Sequence, residues 1–196
     1  MSETIRLYTR QSEKTLLMLE HNGRIVNNRV YVQLHFGDMA QHYLDCYDWF
    51  AEQAARRVPK CEGAEMPLWC ATRPEDCLPP IPGTVVYVVE KPREQVVFFD
   101  DADWDYVLNH RYLPLNDEDE RAYRRHVREL GLNSTYEFFE GRYANLYPDE
   151  MQRVRESWTR LFDIWKPESH TLCGNIWSIE GHELVRIVHP GERVTE

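Results

Sequence analysis

The run TVVYVVE at residues 84–90 constrains the fold more than any other stretch of the chain. Its residues are mainly β-branched or aromatic, which favours a strand, and apolar side chains occupy both of its alternating faces. A strand that is apolar on both faces must be covered on both sides, so it belongs in the interior of a sheet. The run QVVFF at 95–99 follows after the short connection KPRE and predicts another strand.

Two periodicities divide the rest of the chain. Alternation and short apolar runs predict strands at 5–10, 29–36, 66–72, 175–180 and 183–188, the last two as a strand pair or edge hairpin. Apolar residues at helical spacing predict helices at 13–21 and 38–57 and three more within 101–165. Strands at both ends and around 84–99, with helices between them, indicate the α+β class with a mixed or antiparallel sheet core.

The length and composition are those of one folded body. A chain of 196 residues with 42% hydrophobic content fits a single domain over 1–196, with the helical segment of about 101–165 packed on the sheet and an insertion near 115–150. No stretch approaches the ~18 apolar residues of a membrane span, and the start MSETIRLYTRQ lacks a secretory signal. We therefore expect a cytoplasmic protein that has no membrane partner.

The cysteines and the net charge limit which kinds of binding site and partner the chain can have. Five cysteines without a C-x-x-C pair favour reduced thiols. A zinc site built from Cys61, Cys70 and Cys77 is an alternative, but zinc ligands usually include a pair two to four residues apart. The net charge of -10 repels nucleic-acid phosphate and disfavours direct nucleic-acid binding. The same charge suits a protein partner with a basic surface.

The stretch FFDDADWDYVLN at 98–109 carries four carboxylates between a predicted strand and a predicted helix. Asp100 or Asp101 at the helix N-cap and Asp103 in the first turn would accept hydrogen bonds from free backbone N–H groups and favour the positive end of the helix dipole. A divalent metal is the alternative, and it needs several oxygen ligands that converge on one point. We predict a helix cap and no metal.

Six blocks of the chain follow one another in the order YTRQ (8–11), WFAEQ (49–53), PLW (67–69), FFD (98–100), WDYVLN (104–109) and SWTRLFD (157–163). Together they resemble a bacterial family catalogued as domain of unknown function 3841, whose members carry W-T-x-Q, W-M-A-E-Q, P-I-W-x-W, L-L-S-D-F, W-H-x-V-L-N and S-W-x-x-I-F-D. The chain departs from that pattern at Tyr8, Phe99 and Asp105, where the family usually has Trp, Ser and His, so any role of that His does not carry over. The family's name supplies no function. The resemblance singles out Thr9, Gln11, Trp69, Asp100, Trp104 and Asn109.

The order of elements is also similar to that of small ADP-ribosyltransferase-like domains, which hold NAD between two sheets without a Gly-rich loop. This resemblance implies NAD as the cofactor, with Tyr8 or Thr9 at the nicotinamide amide, Tyr43 or Tyr47 stacked on the ring, and Glu180 as the late acid. The alternative is that the two helix tyrosines are core residues and Glu180 is an exposed charge at a strand end.

Two functions therefore stay open. One is an NAD-binding, ADP-ribosyltransferase-like protein; the other is a non-catalytic acidic protein that binds or inhibits a protein partner in bacterial or phage conflict, for which many Trp and Tyr residues also argue. We expect a pocket between the first strand, the helix of 38–57, Trp69 and the corner at Asp100–Asn109. The candidate catalytic residues are Tyr8, Thr9 and Glu180, and the candidate cofactor-binding residues are Gln11, Tyr43, Tyr47, Trp69, Asp100, Trp104 and Asn109.

Overall fold

The computed structural model describes residues 3–164 and 171–195, and within these ranges the chain forms eight strands and six α-helices. The strands are β1 (Thr4–Ser12), β2 (Arg24–Val26), β3 (Leu68–Ala71), β4 (Thr84–Pro92), β5 (Val97–Asp100), β6 (Leu172–Ile176), β7 (Ser178–Glu180) and β8 (Leu184–Val188). The helices are α1 (Thr15–Asn22), α2 (Arg29–Phe36), α3 (Ala40–Ala55), α4 (Asp101–Leu108), α5 (Asp117–Glu129) and α6 (Pro148–Ser157). The predicted α+β class is confirmed.

Six of the strands form one antiparallel sheet in the order β5-β6-β3-β1-β4-β8, and β2 pairs with β7 in a separate two-stranded sheet. The longest pairing joins β1 to β4, from Thr4 opposite Pro92 to Ser12 opposite Thr84. Strand β4 is bonded on both sides, and its residues from Val85 to Val89 are buried. The doubly apolar run at 84–90 is therefore an interior strand, as its composition predicts.

The chain divides into two compact units. Unit 1 comprises Met1–Phe99 and Leu172–Glu196, and unit 2 comprises Asp100–Thr171. Unit 1 holds both sheets and the first three helices, whereas unit 2 holds α4, α5 and α6. The helical segment expected at about 101–165 thus falls within unit 2, and the organisation of 1–196 as one domain stays a prediction.

The six-stranded sheet has a buried cluster of apolar residues on each face. Because side chains alternate along a strand, Leu7 and Tyr8 point to opposite faces. Leu7 packs with Val85, Tyr87 and Val89 in one cluster, which also includes Leu68, Cys70 and Ile176. Tyr8 packs in the other cluster, whose remaining members are Ala71, Val86, Val88 and Val188.

Unit 2 has its own buried residues at the predicted helical spacing. Tyr123 and Val127 of α5 are buried, as are Val154 of α6 and Trp158 and Leu161 of the following 3₁₀ turn. The Trp158 indole N–H donates to the Arg111 carbonyl at 2.7 Å, which ties this turn to the chain after α4. Trp165, which the same helical spacing includes, lies outside the described residues.

The predicted strand at 29–36 is wrong, because these residues form α2. Tertiary packing decides the conformation here: Val32 lies in a buried cluster with Leu44 of α3 and Met66. The opposite side of α2 stays in solvent, with Val30 56% and Leu34 78% exposed. Because apolar residues lie on both the buried and the exposed side of α2, its sequence lacks the separate apolar and polar faces that identify a surface helix.

The expected pairing of 175–180 with 183–188 is also wrong. The first segment splits into the end of β6 and β7, which pair with β3 and β2, while β8 pairs with β4. The run at 95–99 forms β5 at the opposite edge of the sheet from β8.

In the described part of the chain, no helix is both long and apolar enough to cross a membrane.

Candidate functional site

The candidate site in unit 1 begins at Tyr8 and Thr9, which are consecutive residues of β1 and therefore point to opposite faces of the sheet. Tyr8 lies opposite Ala71 of β3, so Trp69, two residues before Ala71, shares its face. Trp69 in turn lies opposite Asn175 of β6. We call this side of the sheet, which carries Tyr8, Trp69 and Asn175, the Tyr8 face.

Thr9 lies on the other face, where its hydroxyl is part of a short hydrogen-bonded chain. Thr9 Oγ1 donates to the Trp69 carbonyl at 2.8 Å and accepts from Gln11 Nε2 at 2.8 Å. Three predicted site residues thus meet at the junction of β1 and β3. The single proton of the hydroxyl is used within the sheet, so Thr9 holds the two strands together.

Tyr8 is buried, yet it borders a surface cleft of about 340 Å³. Two arginines in the cleft wall already have acidic partners: Arg6 Nη2 lies 2.6 Å from Glu90 Oε1, and Arg73 Nε lies 2.7 Å from Asp76 Oδ2. The cleft is therefore polar without a large excess of either charge. Its lining consists of Thr4, Ile5, Arg6, Tyr8, Thr72, Arg73, Pro74 and Glu75.

An aromatic cluster surrounds Trp69 on the Tyr8 face. The Tyr47 ring contacts Trp69 edge-on at 5.0 Å between centroids, and Phe50 contacts it at 5.2 Å. Tyr43 stacks on Phe36 at 3.8 Å, so one face of its ring is already occupied. Burial raises the pKa of Tyr47 to about 12, because the charged phenolate would be poorly solvated at this position.

Asn175 is a candidate that sequence reasoning missed. Its side chain is 0% exposed, and neither Nδ2 nor Oδ1 has a hydrogen-bond partner among the described residues. Buried polar side chains are nearly always hydrogen-bonded, which makes this amide unusual. The available signal was an asparagine inside the apolar run NIWSIE, at a position that alternation assigns to one face of a strand.

Glu180 ends β7 in the two-stranded sheet, apart from the strand that carries Tyr8 and Thr9. Its carboxylate accepts from the backbone N–H of Glu183, and Glu183 Oε2 accepts from the backbone N–H of Glu180 at 2.8 Å. The other Glu183 oxygen lies 2.6 Å from Lys91 Nζ in a buried ion pair. The three predicted catalytic residues are therefore on two faces of one sheet and in a second sheet, and the catalytic role of Glu180 stays a prediction.

The acidic corner at 100–109 belongs to unit 2 and caps both ends of α4. The buried Asp100 accepts from the Ala102 N–H at 3.0 Å, which is an N-cap contact. Asn109 Nδ2 donates to the Asp105 carbonyl at 2.9 Å at the other end. Trp104 is buried. Cofactor binding by Asp100, Trp104 and Asn109 stays a prediction, and so does the pocket that would combine this corner with residues of unit 1.

The cysteine and carboxylate alternatives have no geometric support. All five cysteines are described and free of disulfides. Burial raises the pKa of the Cys70 thiol and raises that of Cys77 to about 11, so both stay protonated at neutral pH. Among the described residues, no potential metal-binding group of three side chains forms from Cys61, Cys70 and Cys77 or from the carboxylates of the acidic corner.

The family comparison covers almost the whole chain. The model of the family described as a domain of unknown function, DUF3841, matches residues 6–185 of 196. This range includes every candidate residue named above. Searches of curated proteins and of solved structures gave no match. The match extends over both units and agrees with the six ordered sequence blocks, so the chain belongs to the DUF3841 family.

Proposed function

We propose that this protein binds NAD on the Tyr8 face, as an ADP-ribosyltransferase-like domain. The observation that carries the proposal is that Tyr8 and Trp69, which were predicted from separate segments, share one face of the sheet. Tyr8 borders the cleft, and Trp69 lies in a cluster of aromatic rings. A flat ring such as nicotinamide or adenine stacks well on an aromatic surface, and a neighbouring phenol can fix its orientation.

The reaction class follows from the chemistry of NAD. Transfer of ADP-ribose breaks the bond between ribose C1′ and the nicotinamide nitrogen and forms a bond from C1′ to an acceptor nucleophile. Nicotinamide leaves, and the nucleophile gives up a proton to a base. Glu180 is the carboxylate predicted for this step, but Ile179 beside it packs with Leu7 on the face of the sheet opposite to Tyr8, so the NAD-binding proposal does not depend on Glu180. In this scheme Tyr8 contacts the nicotinamide amide, and Thr9 supports Tyr8 from the adjoining position in β1.

Thermal unfolding with and without nucleotide tests the binding. A ligand at 100 times its dissociation constant stabilises by about 2.7 kcal/mol. For a chain of this size that corresponds to a rise in Tm of roughly 5–11 °C. We expect NAD to raise the Tm of the wild type but not of Trp69→Leu, whereas Tyr136→Leu in unit 2 should behave as the wild type. If NAD, NADH and ADP-ribose at millimolar concentration all leave the wild-type Tm unchanged, the proposal is wrong.

Glu180→Gln separates binding from transfer. The glutamine carbonyl can still accept from Glu183 N–H, so the turn and the rise in Tm with NAD should both be kept. If Glu180 is the base, release of nicotinamide from NAD, followed by chromatography, should fall by about 10²–10⁴-fold, because a neutral amide cannot take the proton. Wild-type release by this variant would remove Glu180 from the mechanism and leave the binding proposal in place.

A second candidate function is supported by α2. This helix turns Val30, Tyr31 and Leu34 to solvent, and the nearby Met39 is 59% exposed. Exposed apolar side chains on a protein of net charge -10 would suit a protein partner whose apolar patch has a basic rim. Leu34→Glu should then abolish stoichiometric co-purification of such a partner without lowering the Tm. If no partner co-purifies with the wild type, or the variant retains it, the α2 surface is not the binding site.

A further inference from the structure

The buried amide of Asn175 lies beside the ring that the NAD proposal uses. Asn175 faces Trp69 directly in the pairing of β6 with β3, and both side chains lie on the Tyr8 face. Strand β6 lies between β5 and β3, so its backbone groups form hydrogen bonds with both neighbouring strands. The side-chain amide has no hydrogen-bond partner of its own among the described residues.

An unpaired buried amide lowers the free energy of unfolding, and a leucine at this position would avoid that loss. The amide offers two N–H donors and one carbonyl acceptor, and burial deprives all of them of water. Leucine has nearly the same shape and would carry no unsatisfied polar atom at this position. A polar group kept under such conditions is expected where a ligand or an ordered water completes its hydrogen bonds.

We propose that Asn175 recognises the bound nucleotide through a flat edge that presents an acceptor next to an N–H donor, an inference that rests on the proposed function. The asparagine amide is complementary to such an edge because its own N–H and C=O lie side by side. NAD contains two edges of this kind, the carboxamide of nicotinamide and the N6/N7 edge of adenine. Trp69 lies directly across from Asn175. Because Asn175 is fully buried and does not line the cleft beside Tyr8, the nucleotide reaches the amide only when the rings packed around Trp69 move aside.

Calorimetric titration of wild type and Asn175→Leu with NAD tests the assignment. We expect the variant to bind NAD at least tenfold more weakly. Without ligand its Tm should equal or exceed that of the wild type, because an unsatisfied amide has been replaced by an apolar side chain of similar size. Nicotinamide mononucleotide and ADP-ribose are titrated separately: the probe whose binding the substitution weakens identifies which ring Asn175 contacts.

Asn27→Leu is the matched control. The Asn27 amide is paired, since Nδ2 donates to the Pro67 carbonyl at 2.9 Å. Its replacement should lower the Tm and leave the affinity for NAD unchanged. Should Asn175→Leu fail to fold, Asn175→Ala is titrated in its place, with the same tenfold loss expected.

The outcomes separate the two proposals. If the wild type binds NAD and the Asn175 variants bind it equally well, Asn175 is not a recognition residue, whereas NAD binding stands. If the wild type binds none of the three probes, both proposals are wrong. An Asn175→Leu variant that folds with a markedly lower Tm and unchanged affinity would show that the amide serves the folded state alone.

Discussion

The buried ion pair between Lys91 and Glu183 gives a prediction with a definite magnitude. The side chains are 5% and 8% exposed, and Lys91 Nζ lies 2.6 Å from Glu183 Oε1. The second Glu183 oxygen accepts from the backbone N–H of Glu180, so the pair joins β4 to the turn that carries the candidate acid. Lys91→Met removes the cation and leaves the Glu183 carboxylate buried without its partner.

Loss of one member of a buried ion pair costs about 3–5 kcal/mol, because the remaining charge is neither solvated nor compensated. For a chain of this size the Tm should fall by roughly 6–20 °C. The double variant Lys91→Met/Glu183→Gln removes both charges and retains an acceptor for Glu180 N–H, so it should recover most of the loss. Circular dichroism at 222 nm during heating, and urea unfolding of the same samples, measure both effects.

The control is Arg6→Met, which breaks the pair between Arg6 and Glu90, where the side chains are 39% and 44% exposed. An exposed pair contributes only about 0.2–1 kcal/mol, so its loss should move the Tm by a few degrees at most. If Lys91→Met is as mild as Arg6→Met, or if the double variant is no more stable than Lys91→Met, an uncompensated charge is not the cause.

Substitutions at three further positions test other parts of the structure. Gly174→Ala should destabilise by about 1–3 kcal/mol in urea unfolding, because the added Cβ would lie 2.8 Å from Val96 Cγ1; an unchanged midpoint would mean that the sheet adjusts freely. Asp100→Ala should cost about 1 kcal/mol through loss of the α4 cap, whereas Asp100→Asn should cost a few tenths; equal losses would exclude capping. Burial by itself would raise the pKa of Glu150, but hydrogen bonds from Tyr123 and His126 together outweigh it and lower the pKa below its ordinary 4.5. The ionised Glu150 therefore stabilises the native state above pH 4.5, and this stability is lost as the pH falls through the lower native pKa. Glu150→Gln should flatten the dependence of unfolding on pH in that range. Identical acid-unfolding curves for the wild type and the variant would refute this assignment.

Local patterns were sufficient to predict the interior strand and most helices. TVVYVVE could be assigned to a sheet interior because both faces are apolar, and the structure bonds β4 on both sides. RVYVQLHF has the same kind of composition but forms α2, because Val32 packs against α3 while Val30 and Leu34 face solvent. Burial of only part of a helix by tertiary contacts is a non-local effect that periodicity does not record.

The candidate site could also be predicted only in part from the sequence, again because the contacts that decide it are non-local. Sequence placed Tyr8 and Thr9 in one strand, and alternation alone assigns them to opposite faces, but which face carries the cleft depends on β3 and the loop after it. Strand partners also lie far apart in sequence, as where Trp69 meets Asn175. A lone asparagine belongs to no motif, so its importance follows only from burial and from the lack of hydrogen-bond partners among the described residues.

The position of β1 between β3 and β4 affects how the chain folds during synthesis. About 80 residues separate the end of β1 at Ser12 from the end of β4 at Pro92. At a translation rate of 5–20 residues per second, the nascent strand waits roughly 4–16 s for its longest pairing. During that interval the edge of β1 that pairs with β4 is open to chaperones or to other nascent chains, and the long-range pairing predicts slow refolding in vitro.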